Sequence, residues 1–254
     1  MFSRLLLGIA ALGLSFTSCK KDDEQPSPIQ QQDGFFYGEK AALGQSETQA
    51  YVRIGDDGAP VEAGIIVPEA AMASLDTHAV MLSLDLPAKA RSLTAYQHMM
   101  FDWMPHGHEP EGLFDKPHFD LHFYYTSEAE RVAIQATDTV QFMKPVEGGY
   151  IPAPYINIGG VPQMGAHWID PTGSPFNGEP FTSVLIYGSY DGEVTFLEPM
   201  ITRSFIEQEK TFQLPILQPD QFPEAGKYYP TVYGVEYDAA RRQYRLYVGG
   251  FLKD

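Results

Sequence analysis

HFDLHFYY, residues 118–125, alternates without a break: His118, Asp120, His122 and Tyr124 fall on one side, and Phe119, Leu121, Phe123 and Tyr125 on the other. A period of two is the signature of a β-strand with one face against a core. A helix would stack residues four apart, but it would scatter these aromatics around its circumference. The segment is therefore read as a strand. Its apolar face calls for a second layer, and its polar face presents three residues able to bind a metal or move a proton.

The same pattern recurs along the chain. Strand character is expected at FFYG near Phe36, at Tyr51–Gly55, at His78–Leu86 and in YQHMMFDW. It continues in FTSVLIYGSY, GEVTFLEPMIT, TVYGVEYD and QYRLYVGGF. Aromatic and β-branched residues dominate these runs, and 23 Gly and 20 Pro punctuate them, a composition that favours strands. Asp191-Gly192 predicts a tight hairpin, and DAARR (238–242) a second one. Helical signals are confined to PEAAMASLD from Pro68, with Pro at a first helical position, and SEAERVAIQA, with Ser127 as N-cap. The expected fold is α+β, predominantly β: an antiparallel sheet, barrel-like or sandwiched, with two short helices.

Five of the seven histidines lie between His98 and His122. Histidine is the commonest metal ligand and titrates near neutrality, so this density points to a metal or acid–base site. His118 and His122 have Cα atoms roughly 13 Å apart on a straight strand, near the limit for one ion, whereas each is comfortably close to Asp120. The Gly- and Pro-rich stretch from His108 to Pro117 is expected to turn the chain back and bring His108 beside the next strand. MGAHWIDP adds His167, and LEPMIT adds Glu198, an acid among apolar neighbours that needs a partner if buried. The metal ligands expected are thus His108, His118, His122, His167 and Glu198, with Glu109 or Asp120 as general base or supporting carboxylate. His78 and His98 are read as structural. Mixed imidazole and carboxylate donors suit a divalent transition metal, whether Zn, Mn, Fe or Ni. No HExxH, CxxC, GxSxG or phosphate-binding loop accompanies them.

The first nineteen residues read as an export segment, with Arg4, the apolar run LLLGIAALGL and a small-residue context ending at Cys19. The apolar run is too short to span a bilayer, which takes roughly 20 residues. The segment resembles a bacterial lipoprotein signal, which implies membrane attachment through a lipidated Cys19, the single cysteine of the chain. Residues 20–34 form a polar, proline-containing tether, and KKDDE resembles the signal for surface-directed outer-membrane lipoproteins. Residues 35–254 are read as one β-rich domain. With 33 Asp+Glu against 17 Lys+Arg, nucleic-acid binding is not expected.

Taken in order, DWMPHGHEPEGLFDKPHFDLHFY, VPQMGAHWIDP and YGSYDGEVTFLEPMIT resemble an uncharacterised TTHB-like family, named for a sigma-E-controlled protein of a thermophile. The resemblance runs from about Phe35 to the C-terminus and implies a β-rich domain and a ring-like homo-oligomer. It supplies no reaction. Met104, where the family's pattern carries Asn, departs from it and leaves the histidines untouched. Two functional readings follow: an envelope lipoprotein with a metal-centred pocket, or a non-catalytic small-molecule-binding or envelope-stress protein. Fifteen Tyr and 16 Phe suit a ligand pocket or an interface as well as a core.

Overall fold

The computed structural model describes residues 34–254. The expected export segment, Cys19 and the tether up to residue 33 lie outside the described residues. In chain order the elements begin with β1 (Phe35–Leu43), β2 (Ser46–Ile54), β3 (Pro60–Pro68), α1 (Glu69–Met72) and β4 (Val80–Asp85). Next come α2 (Ala88–Leu93), β5 (His98–Met104), β6 (His118–Tyr124), α3 (Glu128–Ala133) and α4 (Thr139–Met143). β7 (Ile156–Val161), β8 (Gly165–Ile169), β9 (Ser183–Tyr190), β10 (Glu193–Thr202) and α5 (Arg203–Glu209) follow. The chain closes with β11 (Phe212–Pro215), β12 (Tyr228–Tyr229), β13 (Val232–Asp238), β14 (Gln243–Gly249) and β15 (Leu252–Lys253).

Two antiparallel sheets hold most of these strands. One has the order β1-β2-β3-β14-β13-β11 and the other β4-β5-β6-β10-β9-β8-β7; β12 and β15 pair separately. Val52, Ile65 and Leu246 of the first sheet share one core with Phe101, Phe119, Leu121, Phe123 and Leu197 of the second. The arrangement is a sandwich. A barrel, the other arrangement expected, is not formed: β4 and β7 end the larger sheet and do not meet. Its apolar face is already covered by the six-stranded sheet, so it has no need to curl onto itself.

Local chemistry explains the turns and caps. Asp191 (φ 51°) and Gly192 (φ 86°) both take the left-handed conformation that a two-residue hairpin requires, joining β9 to β10 at Tyr190↔Glu193. Ser127 caps α3 in a reciprocal box: the Glu130 backbone N–H donates to Ser127 Oγ, and the Ser127 N–H donates to Glu130 Oε2 at 2.8 Å. Five helices are present among the described residues instead of two. The additional ones, α2, α4 and α5, have only five to seven residues, too few to display a helical repeat. Pro68 sits at the N-cap of α1, one residue earlier than expected.

The outer face of the seven-stranded sheet supports the site. A second apolar cluster lies there, including Met100, Phe114, Ile186, Phe196 and Met200. The long β5–β6 loop folds over this face, held by a backbone bridge between His108 and Phe114 and by edge-to-face packing of Phe114 on Phe181.

Candidate metal centre

Strand register places the polar residues. On β6, Phe119, Leu121 and Phe123 point into the sandwich, which leaves His118, Asp120 and His122 on the outer face. Asp120 lies opposite Asp102 of β5 on one side and Met200 of β10 on the other. Glu198 follows two residues before Met200 and pairs with Ile186 of β9. His167 of β8 stands opposite Gly188, which in turn pairs with Phe196. Gly188 allows a close approach here: a Cβ in its place would overlap the Phe196 ring. That ring occupies the space a side chain would take, and it packs edge-on against both His122 and His167 at 5.1 Å.

Two groups of three result. His108, His118 and Asp120 form one, and His122, His167 and Glu198 the other; within each, one donor atom per residue lies within 4.8 Å of the others. In the first, His118 Nε2 is 3.0 Å and His108 Nε2 3.4 Å from the Asp120 carboxylate. In the second, His122 Nε2 is 3.3 Å from Glu198 Oε1 and His167 Nε2 is 3.7 Å from Oε2. Of the six side chains only His108 reaches well into solvent, at 36 % exposure; His118 and Asp120 are 0 and 3 % exposed, and His122, His167 and Glu198 are 2, 14 and 2 % exposed. The five expected ligands are therefore distributed over two neighbouring points, with Asp120 a full member of the first. Glu109 is exposed at the pocket rim, and His106 stays in solvent.

Three imidazoles are oriented by backbone. Nδ1–H of His108 donates to the Glu109 carbonyl (2.7 Å), that of His118 to Lys116 (2.7 Å) and that of His167 to Gly165 (3.2 Å). Each bond orients its ring with Nε2 turned inward, so that loss of the Nε2 proton leaves a lone pair aimed at the site, as metal-binding histidines require. His122 differs: its Nδ1 faces Asp102 Oδ2 at 3.7 Å. Several buried atoms of the site, among them His118 Nε2, Asp120 Oδ1, His122 Nε2 and Glu198 Oε2, make no hydrogen bond. Lone pairs that approach this closely without pairing suit convergence on a common cation.

Electrostatics point the same way. Burial, reinforced by Asp120 and Asp102, pushes the Glu198 carboxyl well above its usual range. Burial and the neighbouring Asp120 raise Asp102 to about 8. Burial lowers His122 to about 3 and His167 to about 4, so both imidazoles are neutral at pH 7 with free lone pairs. Burial would also raise Asp120, but the His118 and His108 imidazoles outweigh it and hold that carboxyl below its normal value. Among the described residues no Lys or Arg pairs with Asp102, Asp120 or Glu198. Both groups open onto one cavity of about 540 Å³, walled by Met104, Phe114, Ile158, Val161, Met164 and Ile186.

Residues 55–103 match the TTHB210-like family, described as hypothetical protein TTHB210. The uncharacterised TTHB-like resemblance read from the sequence is met over this stretch. It covers 49 of the 254 residues, from the loop before β3 to Trp103, and so includes Asp102 but ends before His106 and all the candidate ligands. No curated protein and no solved structure matches the chain. Asp102 is the site residue that sequence reasoning missed. Its signal was present in YQHMMFDW: an acid inside an apolar strand, the same anomaly that singled out Glu198.

Proposed function

We propose that the protein is a cell-envelope lipoprotein, anchored to the outer membrane through Cys19, whose domain binds divalent transition-metal ions in a pocket open to a small molecule. His122, His167 and Glu198 would hold the principal ion, and His108, His118 and Asp120 a second one nearer the mouth. The observation that carries this reading is the buried Glu198, whose two oxygens face two neutral imidazoles with no cationic side chain to balance them. An isolated buried carboxylate is too costly to leave unpaired. Two imidazoles and one carboxylate are also the donor set of Zn and non-haem Fe(II) sites, with Mn and Ni as further candidates.

Three protein donors per ion leave coordination positions free on the pocket side, as in catalytic sites. A bound ion would supply Lewis acidity there. Around it, Phe196 packs edge-on against the His122 and His167 rings, and Phe114 of the β5–β6 loop forms part of the wall. Glu109 and Asp102 are the carboxylates not assigned as ligands. Glu109 stands at the rim, within reach of a pocket ligand, whereas Asp102 backs His122.

Elemental analysis of protein purified without chelator tests the reading, with up to two equivalents expected. Glu198→Gln and His122→Ala each remove the inner equivalent and spare the outer; His118→Ala and Asp120→Asn do the reverse. Retention of both equivalents in all four variants would refute the assignment. A closed coordination sphere, seen as a metal spectrum indifferent to every added ligand, would favour the non-catalytic structural alternative.

A further inference from the structure

The two donor groups occupy only the floor of the cavity, and the rest of its wall has a different chemistry. Met104 and Ile186 rise from the sheet, Phe114 from the covering loop and Met164 from the β7–β8 turn, and Ile158 and Val161 form the lip. Ile158 and Val161 are 43 and 41 % exposed and leave an apolar edge at the mouth of the cavity. Between them, Gly159 and Gly160 present bare backbone to the cavity. None of the lining residues is Lys or Arg, so the pocket has no side chain to receive a phosphate chain or another polyanion, and Glu109 at the rim repels one. None of the lining side chains carries a hydroxyl or amide that would read a sugar. The volume of about 540 Å³ is that of an ordinary small-molecule site.

Charge sets the remaining requirement. Asp102, Asp120 and Glu198 bring at most three negative charges to the floor, whereas two divalent ions bring four positive ones. The loaded floor is therefore short of at least one negative charge. Resting on the metal reading above, we infer that this pocket takes a small amphiphile: an apolar body against the Ile158–Val161 lip, and a single carboxylate head that completes the coordination of the inner ion. Short polar acids would lack the body, and apolar alcohols would lack the head.

The test uses the full domain loaded with Co(II), whose visible spectrum reports changes in coordination. Octanoate, acetate and octanol are titrated in parallel. Octanoate is expected to perturb the spectrum and to bind at least tenfold more tightly than acetate, since several buried methylenes separate the two. Octanol is expected to leave the spectrum unchanged. Val161→Asp and Ile158→Asp change exposed side chains, so folding is not at risk; each should weaken octanoate about tenfold and leave acetate and Co(II) stoichiometry as they were. Failure to load Co(II) would overturn the metal reading and this inference with it. Normal loading with equal affinities for octanoate and acetate, or with no carboxylate effect at all, would overturn the inference alone. Octanoate binding left unchanged in both lip variants would show that the body sits elsewhere, and would also overturn it.

Discussion

At the scale of single residues, the site sets two kinds of titrating group against each other. Asp102 and Glu198 have raised values, so the folded chain holds protons that the unfolded chain has released, and stability falls as pH climbs from the ordinary carboxylate range toward the folded values. His122 and His167 are lowered to about 3 and about 4, so the unfolded chain binds the extra protons, and stability rises with pH up to the ordinary histidine value near 6.5. Below that point the two trends offset one another. Above it only the carboxylates remain, joined by His108, where contact with Asp120 outweighs burial and raises the imidazole. Asp102 alone is thus expected to cost the metal-free protein on the order of 1–2 kcal/mol between about pH 6.5 and pH 8, one proton's worth of linkage over that span, and Glu198 and His108 act in the same direction. Chemical denaturation at several pH values in chelator measures it. Asp102→Asn should flatten the slope, and a slope of opposite sign would contradict the burial of these acids. Added metal should reverse the trend, because the ion favours the deprotonated ligands.

At the scale of elements, β6 separates two tasks by parity. Leu121→Ala removes a fully buried side chain from the sandwich core and should cost about 2–5 kcal/mol while leaving metal stoichiometry intact. His122→Ala, one residue on, should do the opposite. β9 carries a subtler dependence. Gly188→Ala would drive a methyl into Phe196, costing roughly 1–3 kcal/mol by overpacking and tilting the ring between His122 and His167. Weaker inner-site metal binding in a folded Gly188→Ala protein, read by calorimetry, is the expected result; unchanged affinity would show that the ring has no part in posing the imidazoles. The strand reading of HFDLHFYY was legible because alternation is a local property, and the Asp191-Gly192 turn because its backbone needs are local too. The short helices α2, α4 and α5 were not legible, since a single turn or two carries no periodicity. The split of the histidines into two groups was half legible: strand rise kept His118 from His122, but which partner each would find depended on the β6–β10–β9–β8 order, which no local pattern encodes.

At the scale of the whole molecule, the sandwich reserves one side of the larger sheet for cohesion and leaves the other for chemistry. The lipid anchor and the homo-oligomer remain proposals drawn from the sequence. Cys19→Ser should release the protein from the membrane fraction and abolish incorporation of labelled fatty acid, with metal content unchanged in the released domain. Membrane retention of that variant would remove the anchor from the account. Light scattering of the same soluble form reports directly on whether copies assemble.

Because Phe119, Leu121 and Phe123 alternate with Asp120 and His122, cohesion and reactivity are written in interleaved letters of one short word. Donors can be exchanged at the even positions, cysteine for histidine or glutamate for aspartate, while the hydrophobic mortar behind them stays in place. The sheet is in that sense a socket: its grip on the rest of the chain is independent of the fitting it holds, and its preference among ions can be retuned without first rescuing the fold.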